Sequence, residues 1–270
     1  MNDDVIVTTY VIIAEVLRHA DHRDHVLAQV SDAEVLTVAV IAAGYFQNHH
    51  ARALQVMQGM GYLSGGLSAS RFNRRVHALA TWLEGILTLL GELFATGEVF
   101  ILDSLPLPVC RRVRARRCRK VRGRAYCGYC AAKREKFFGW RLHLVTTAEG
   151  VPVTFTILPA SCHDLTPVHE LTAPLPAEAS VYSDKAYNSA ADEASILAET
   201  GVHLIPQRKA NMTPNTWLEK VAIREHRKRI ETSNSQLEAM GVQRLRARTN
   251  PGFELKVFAS VLALIFINGF

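Results

Sequence analysis

Two aspartates stand at the ends of short apolar runs: Asp103 after Val99-Phe100-Ile101-Leu102, and Asp184 after Ala179-Ser180-Val181-Tyr182-Ser183. Each run reads as a short buried strand, so each carboxylate emerges where a sheet gives way to solvent. Glu231 lies beside Ile230 in a long polar stretch whose Ile223, Ile230 and Leu237 fall on one helical stripe. If the two strands are neighbours, their aspartates meet, and the margin of the helix brings the glutamate alongside. Three crowded carboxylates repel one another unless cations neutralise them, and hard oxygen ligands suit Mg²⁺ or Mn²⁺. Two such ions about 3.5–4 Å apart activate an attacking oxygen and stabilise a leaving one in phosphoryl transfer. Each residue also has a plain structural reading. Asp103 can end a strand in a turn, Asp184 can pair with Lys185 at the surface, and Glu231 can pair with Arg227 one helical turn earlier. Asp164, in Cys162-His163-Asp164, rivals Asp184 as second aspartate, but its position suits the start of a short helix running to about Leu171. His143 and His163 can polarise phosphate, although core and capping roles suit them better.

The charge points to a polyanion. The chain carries a net charge of +6, yet residues 111–141 alone hold thirteen Lys or Arg against Glu135, while residues 1–98 hold six basic and ten acidic residues. A stretch so basic repels itself unless it lies against phosphate, which Lys and Arg bind with release of counterions. Arg outnumbers Lys ten to three there, and the planar guanidinium suits bidentate phosphate contact. Arg111, Arg112, Arg114, Arg116, Arg117, Arg119, Lys120 and Arg122 are the candidate DNA contacts, together with Arg227 beside Glu231. The run begins eight residues after Asp103, which predicts that it leaves the sheet close to the carboxylates. A solvated loop is the alternative.

Five cysteines, an odd number, predict free thiols in a reducing compartment. Cys127-Gly128-Tyr129-Cys130 has metal-ligand spacing that Cys110 and Cys118 can complete, but those two are eight apart and make no second close pair, so zinc is not expected.

Several elements must position these groups. Residues 5–95 read as helices: Val5 to His19, then a capping box at Ser31-Asp32-Ala33-Glu34 opening a helix to about Gln47, then Ala51 to Met60. After Gly61, Gly65 and Gly66, Ser70 is expected to cap one long helix striped by Phe72, Val76, Leu79, Leu83, Leu87 and Leu90. Arg71, Arg74 and Arg75 in its first turns allow a helix-turn-helix that reads DNA, although the turn is long and the segment acidic. From residue 99 strands and helices alternate. A hairpin of Phe138–Leu144 and Val151–Leu158 follows the first strand, and strands at Ala179–Asp184 and Val202–Ile205 come later. The expected class is therefore α/β: a mixed five-stranded sheet flanked by helices, preceded by an all-helical N-terminal domain. The domains are expected at 1–98, with possible DNA-end binding, and 99–270, with an arginine-rich insertion at 111–141. No apolar run approaches the roughly 18 residues of a membrane span; Val257 to Ile267 reads as a buried closing helix. The start has Asp3 and Asp4 and no basic region, so it is no secretory signal, and a cytoplasmic chain without a membrane partner is expected.

The segments VFIL before Asp103, GYCAAKREKFFGWRLHLVTTAEG, ASCHD, YSDKAY and RKRIETSNSQL resemble those of bacterial insertion-sequence transposases of the DDE class, over roughly residues 99–267. The resemblance implies an RNase H-like core and a triad of two aspartates and a glutamate, here Asp103, Asp184 and Glu231. It also implies two Mg²⁺ or Mn²⁺ ions, double-stranded DNA as element end and target, and a homodimer assembled on that DNA. Many relatives carry Tyr-x-x-Arg-x-x-x-Glu-x-x-x-x-x-x-Lys around the glutamate; Arg227 and Glu231 fit it, whereas Arg224 and Glu238 occupy the tyrosine and lysine places. Cut-and-join transposition is the expected function. A hydrolytic nuclease on the same fold, or a transposase-derived DNA-binding protein without activity, are the alternatives.

Overall fold

The computed structural model describes residues 2–130 and 133–270, which cluster into two compact units: residues 1–89 with 236–270, and residues 90–235. The expected domains, 1–98 and 99–270, cut the chain once; the compact units instead return the last 35 residues to the helical part.

The helical unit is arranged around α2 (Asp32–Phe46), which packs against α1 (Asp3–His19), α3 (His50–Gly59), α4 (Ala69–Ala78) and α9 (Asn250–Asn268). The Ser31–Glu34 capping box opens α2 as expected, and Ala33 through Ala43 are all buried. Ser68, not Ser70, caps α4, and the single long helix is two: α4 and α5 (Ala80–Phe94) meet at Leu79 with a bend of 59°. The apolar stripe runs through that bend without interruption, so its period gives no sign of it. Nine residues separate α3 from α4. Arg75 donates to the Val30 carbonyl and pairs with Asp32, a structural role inside this unit; Arg71 and Arg74 are exposed. At 19 residues α9 is long and apolar enough to cross a membrane, contrary to expectation, but 67% of that stretch is buried within the molecule, as a core helix requires.

The second unit is a six-stranded mixed sheet with helices. Its strands are β1 (Val99–Arg111), β2 (Cys127–Cys130), β3 (Glu135–Thr147), β4 (Pro152–Pro159), β5 (Ser180–Ser183) and β6 (His203–Pro206). β3 pairs antiparallel with β1 on one edge and with β4 and β2 on the other, while β5 and β6 extend the sheet in parallel beyond β1. One strand more than expected is present, because β2 lies inside the arginine-rich segment where four residues, two of them Cys, show no apolar alternation. β1 is also three times its expected length. Its Pro106 and Pro108 argue against a strand, but β5 pairs β1 only from Val99 to Leu102. Beyond that point β1 bonds to β3 alone, and two prolines of the same parity turn their missing N–H toward the open edge. Opposite Pro108, Gly139 lets β1 and β3 approach: a Cβ there would stand 2.3 Å from the Leu107 carbonyl oxygen.

Phe100, Leu102, Val145, Val181 and Leu204 form the buried side of this sheet with Val168 and Leu171 of α6 (Val168–Thr172) and Ile196 of α7 (Ala190–Thr200). Ser189 caps α7 and Gly201, at φ 75°, ends it. The remaining helix, α8 (Trp217–Ala239), has a capping box at Thr216 and Glu219.

Candidate active site

The parallel register of β1 and β5 pairs Leu102 with Ser183, so the next residue on each chain is an aspartate. Asp103 and Asp184 therefore leave neighbouring strands side by side, as the sequence predicts. They line one cleft of about 110 Å³ with Gln207, Arg227 and Glu231. Asp103 is held at both oxygens: the Ser104 backbone N–H donates to Oδ1 at 2.7 Å, and Asn234 Nδ2 donates to Oδ2 at 2.8 Å. Asn234 lies one helical turn past Glu231 on α8, so this bond ties the glutamate's helix to the first aspartate. Asp184 Oδ1 accepts from the Ala186 N–H at 2.8 Å.

Burial and, after it, the charge of Asp184 lift the Asp103 carboxyl to about 6, against the pull of the Ser104 amide and Asn234. Burial also raises Asp184, helped by the charge of Asp164 and opposed by the Ala186 amide, Arg227 and Arg141. Glu231 differs. Its side chain is 63% exposed and accepts from Arg227 Nε at 3.1 Å, so the plain ion-pair reading of this residue is also realised. The three carboxylates share the cleft, but no choice of one oxygen from each brings all three within 4.8 Å of one another. Among the described residues the set that does so is His22, Asp24 and Asp32 in the helical unit. That set is already consumed internally: His22 Nε2 sits 2.9 Å from Asp32 Oδ2, the Asp32 N–H donates to Asp24, and Arg75 pairs with Asp32.

Asp164 does not cap a helix. α6 begins later, at Val168 after Pro167, and the Asp164 side chain points back toward β3. Arg141 Nη1 donates to Asp164 Oδ1 at 3.3 Å and to Ser104 Oγ at 3.2 Å, which brings Asp164 within electrostatic reach of both other aspartates. His143 Nδ1 lies 3.0 Å from the Tyr187 hydroxyl and 3.9 Å from Asp164. His143 is wholly buried and burial lowers it to about 4, so at neutral pH it is an uncharged core residue. Tyr187, also wholly buried, is kept protonated by its burial and by the surrounding charges of Asp164, Asp103 and Asp184. Exposed His163 accepts from the Leu165 N–H in a local turn. Asn234, Arg141 and Tyr187 were not singled out from sequence; nothing marks an Asn or a Tyr as a neighbour of Asp103 before the helix and strands are placed.

The arginine-rich segment is organised, and its last member, Arg141, returns on β3 to Ser104 and Asp164. Because β1 continues to Arg111, with a shift of register between Pro108 and Cys110, the eight residues after Asp103 span up to roughly 26 Å at 3.3 Å per strand residue. The expectation that the segment leaves the sheet beside the carboxylates therefore fails for its start, Arg111–Arg122, although Arg141 at its close lies beside them. A 3₁₀ stretch, Arg112–Arg117, follows; Arg111, Arg112, Arg114, Arg116, Arg117, Arg119 and Arg122 are exposed and Lys120 is half-buried. Its cysteines are free thiols. Cys110 is raised by burial and then by its hydrogen-bonded neighbour Cys118. Cys127 and Cys130 stand three apart on β2, hence on opposite faces of the strand, a poor arrangement for one shared zinc.

Searches of curated proteins and of solved structures found no match for the chain. A family model described as "Transposase DDE domain" matches residues 94–249. That span contains the whole cleft and more than half of the 270 residues, so the chain belongs to the DDE-class transposases.

Proposed function

We propose that the chain catalyses cut-and-join transposition of an insertion sequence, with Asp103, Asp184 and Glu231 as its catalytic carboxylates on an RNase H-like core. The family is one of DNA-acting enzymes that use divalent metal ions; the particular reaction, residues and ions are our reading. The observation that carries it is the juxtaposition of Asp103 and Asp184 at the paired ends of β1 and β5, both raised by burial, Asp103 further by the charge of Asp184 and Asp184 by that of Asp164. The strand order supports an RNase H-like core: an antiparallel set of β4, β3 and β1 continued by parallel β5 and β6.

Two buried carboxylates that resist ionisation together are a fitting donor set for a hard cation, which supplies the positive charge the site lacks. Mg²⁺ or Mn²⁺ pairs held by Asp103, Asp184 and Glu231 would supply activation of the attacking oxygen and stabilisation of the leaving one. The chain's own groups do the rest. The Ser104 amide and Asn234 fix both oxygens of Asp103, so that its orientation is set before substrate arrives. Arg227 holds Glu231 at the mouth of the cleft and places a cation where a phosphodiester enters. Water attack at the element's end would free a 3′-hydroxyl, and that hydroxyl would attack target DNA in the same site, both steps being in-line displacements at phosphorus. The protein would act as a homodimer on double-stranded DNA.

The test is incubation with the DNA that flanks its own gene in Mg²⁺, scoring cleavage and joining separately. Asp103→Asn, Asp184→Asn and Glu231→Gln should each abolish both reactions while leaving DNA binding nearly intact. Asp184→Asn cutting normally, with Asp164→Asn inactive, would transfer the second catalytic position to Asp164. Cutting without joining would make the protein a nuclease instead.

A further inference from the structure

A basic groove adjoins the carboxylate cleft, and it is not formed by the arginine-rich segment. Lys209, Lys220, Arg224 and Arg227 line a hollow of about 550 Å³ between the loop after β6 and the first half of α8. It shares Gln207, Ile223 and Arg227 with the cleft of Asp103 and Asp184. The loop that forms one wall is built, not slack. The Gln207 N–H bonds the Ser183 carbonyl at 2.9 Å, Asn188 Nδ2 donates to the Gln207 carbonyl at 2.6 Å, and buried Asn215 bridges the Pro206 carbonyl and the Arg208 N–H. Arg208 is spent inside it, bidentate to Glu193 at 2.6 and 2.7 Å. Lys209, Lys220 and Arg224 are exposed and, among the described residues, form no ion pair.

On α8, Lys220, Arg224, Arg227 and Glu231 recur at intervals of four, three and four residues, so they fall on one face that leads down the helix to the cleft. From Lys220 to Arg227 the helix rises about 10.5 Å at 1.5 Å per residue. One strand of duplex DNA presents a phosphate about every 3.4 Å of axis, so this face matches a run of about three nucleotides. Three unpaired cations facing one hollow repel each other, and a line of phosphates is the partner that relieves them.

We propose that this groove is the track for the DNA backbone next to the reacting phosphodiester, with Lys209, Lys220 and Arg224 as its phosphate contacts. The proposal rests on the DNA-processing reading above and moves the DNA path at the site from the arginine-rich segment to α8. It contributes position and little base discrimination, because these are point contacts to phosphate.

The experiment measures binding of the full chain to a labelled 30-base-pair duplex by fluorescence anisotropy, in chelator so that no strand is cut, across a salt series. Lys209→Ala, Lys220→Ala and Arg224→Ala combined should lower the slope of log affinity against log salt by about 2.7, at about 0.9 per contact. The charge-conserving set Lys209→Arg, Lys220→Arg and Arg224→Lys should keep the slope. An unchanged slope in the alanine variant overturns the proposal, and so does an equal loss in the charge-conserving one. If the unaltered protein binds DNA yet neither cuts nor joins in Mg²⁺, the catalytic reading fails and the groove is still judged by its slope.

Discussion

Asp103 spends folding free energy to be where it is. Its ordinary carboxyl titrates near 3.8 and in the fold it titrates near 6, so below about pH 4 it is protonated folded or unfolded and costs nothing. As pH rises through 6 the folded form must hold a charge it resists, and the stability present at low pH is lost. A shift of this size is worth on the order of 2–3 kcal/mol. His143 runs the other way: lowered to about 4 by burial, it favours the fold above its unfolded pKa near 6.5 and erodes it as pH falls toward 4. The two opposed trends flatten the stability of the metal-free protein between pH 4 and 6. Asp103→Asn removes one of them. In chelator it should be more stable than the parent by roughly 2 kcal/mol at pH 7 and about equal to it at pH 4, as read from urea denaturation midpoints. Equal stability at both pH values would mean that Asp103 is not desolvated as its geometry indicates. Both aspartates were legible in the sequence because each ends an apolar run, which is a local signal. Asp164 was legible only as a rival to Asp184, since its contact with Arg141 comes from a strand remote in sequence, and its position before a helix suggested a cap that it does not form.

At the level of elements, α8 decides whether Glu231 belongs to the site. The helix is mostly polar, with Ile230, Ser233 and Leu237 buried, so little apolar area holds it against the sheet. Its specific ties are the 2.8 Å bond from Asn234 to Asp103 and the stack of His226 on Tyr182 of β5, ring centroids 4.9 Å apart, supported by Ser233 Oγ beside the Gly150 carbonyl. Groups that orient a metal ligand without touching the metal are worth about 10- to 100-fold in metal affinity. Asn234→Ala should therefore weaken Mn²⁺ binding by about that factor in titration calorimetry, with the helical circular dichroism unchanged. Undiminished Mn²⁺ affinity would show that Asp103 keeps its orientation through Ser104 alone. The sequence made α8 and the hairpin legible through their periodicity and the short strands through their apolar runs. It concealed the length of β1 behind Pro106 and Pro108, because whether a proline is tolerated depends on which edge is open. It concealed β2 in four residues without alternation, and the break at Leu79 beneath a stripe that continues across it.

Across the molecule, the positive charge that made nucleic acid the expected partner falls into two regions of the unit formed by residues 90–235. One is the α8 groove beside the cleft; the other is the segment from Arg111 to Arg122, roughly 26 Å along β1 from Asp103. The first leaves no mark on composition because its cations are dispersed at helical spacing, whereas the second is contiguous and dominates any window. Their separation has a measurable consequence. At 3.4 Å per base pair, 26 Å is about seven to eight base pairs of duplex. Exposed arginines there would meet flanking DNA and not the phosphodiester that reacts. Replacing Arg112, Arg116, Arg119 and Lys120 together by alanine should flatten the salt dependence by about 3–4 units on long duplexes. On duplexes that stop within about six base pairs of the cleavage point, the same variant should match the parent, since its cations have no phosphate to reach. The groove variant should lose its contacts on both. A quadruple variant that binds short duplexes as weakly as long ones would mean that the segment folds back over the cleft when DNA is present. A salt slope unchanged on every length would leave the segment as a solvated surface and the α8 groove as the principal DNA contact of this unit.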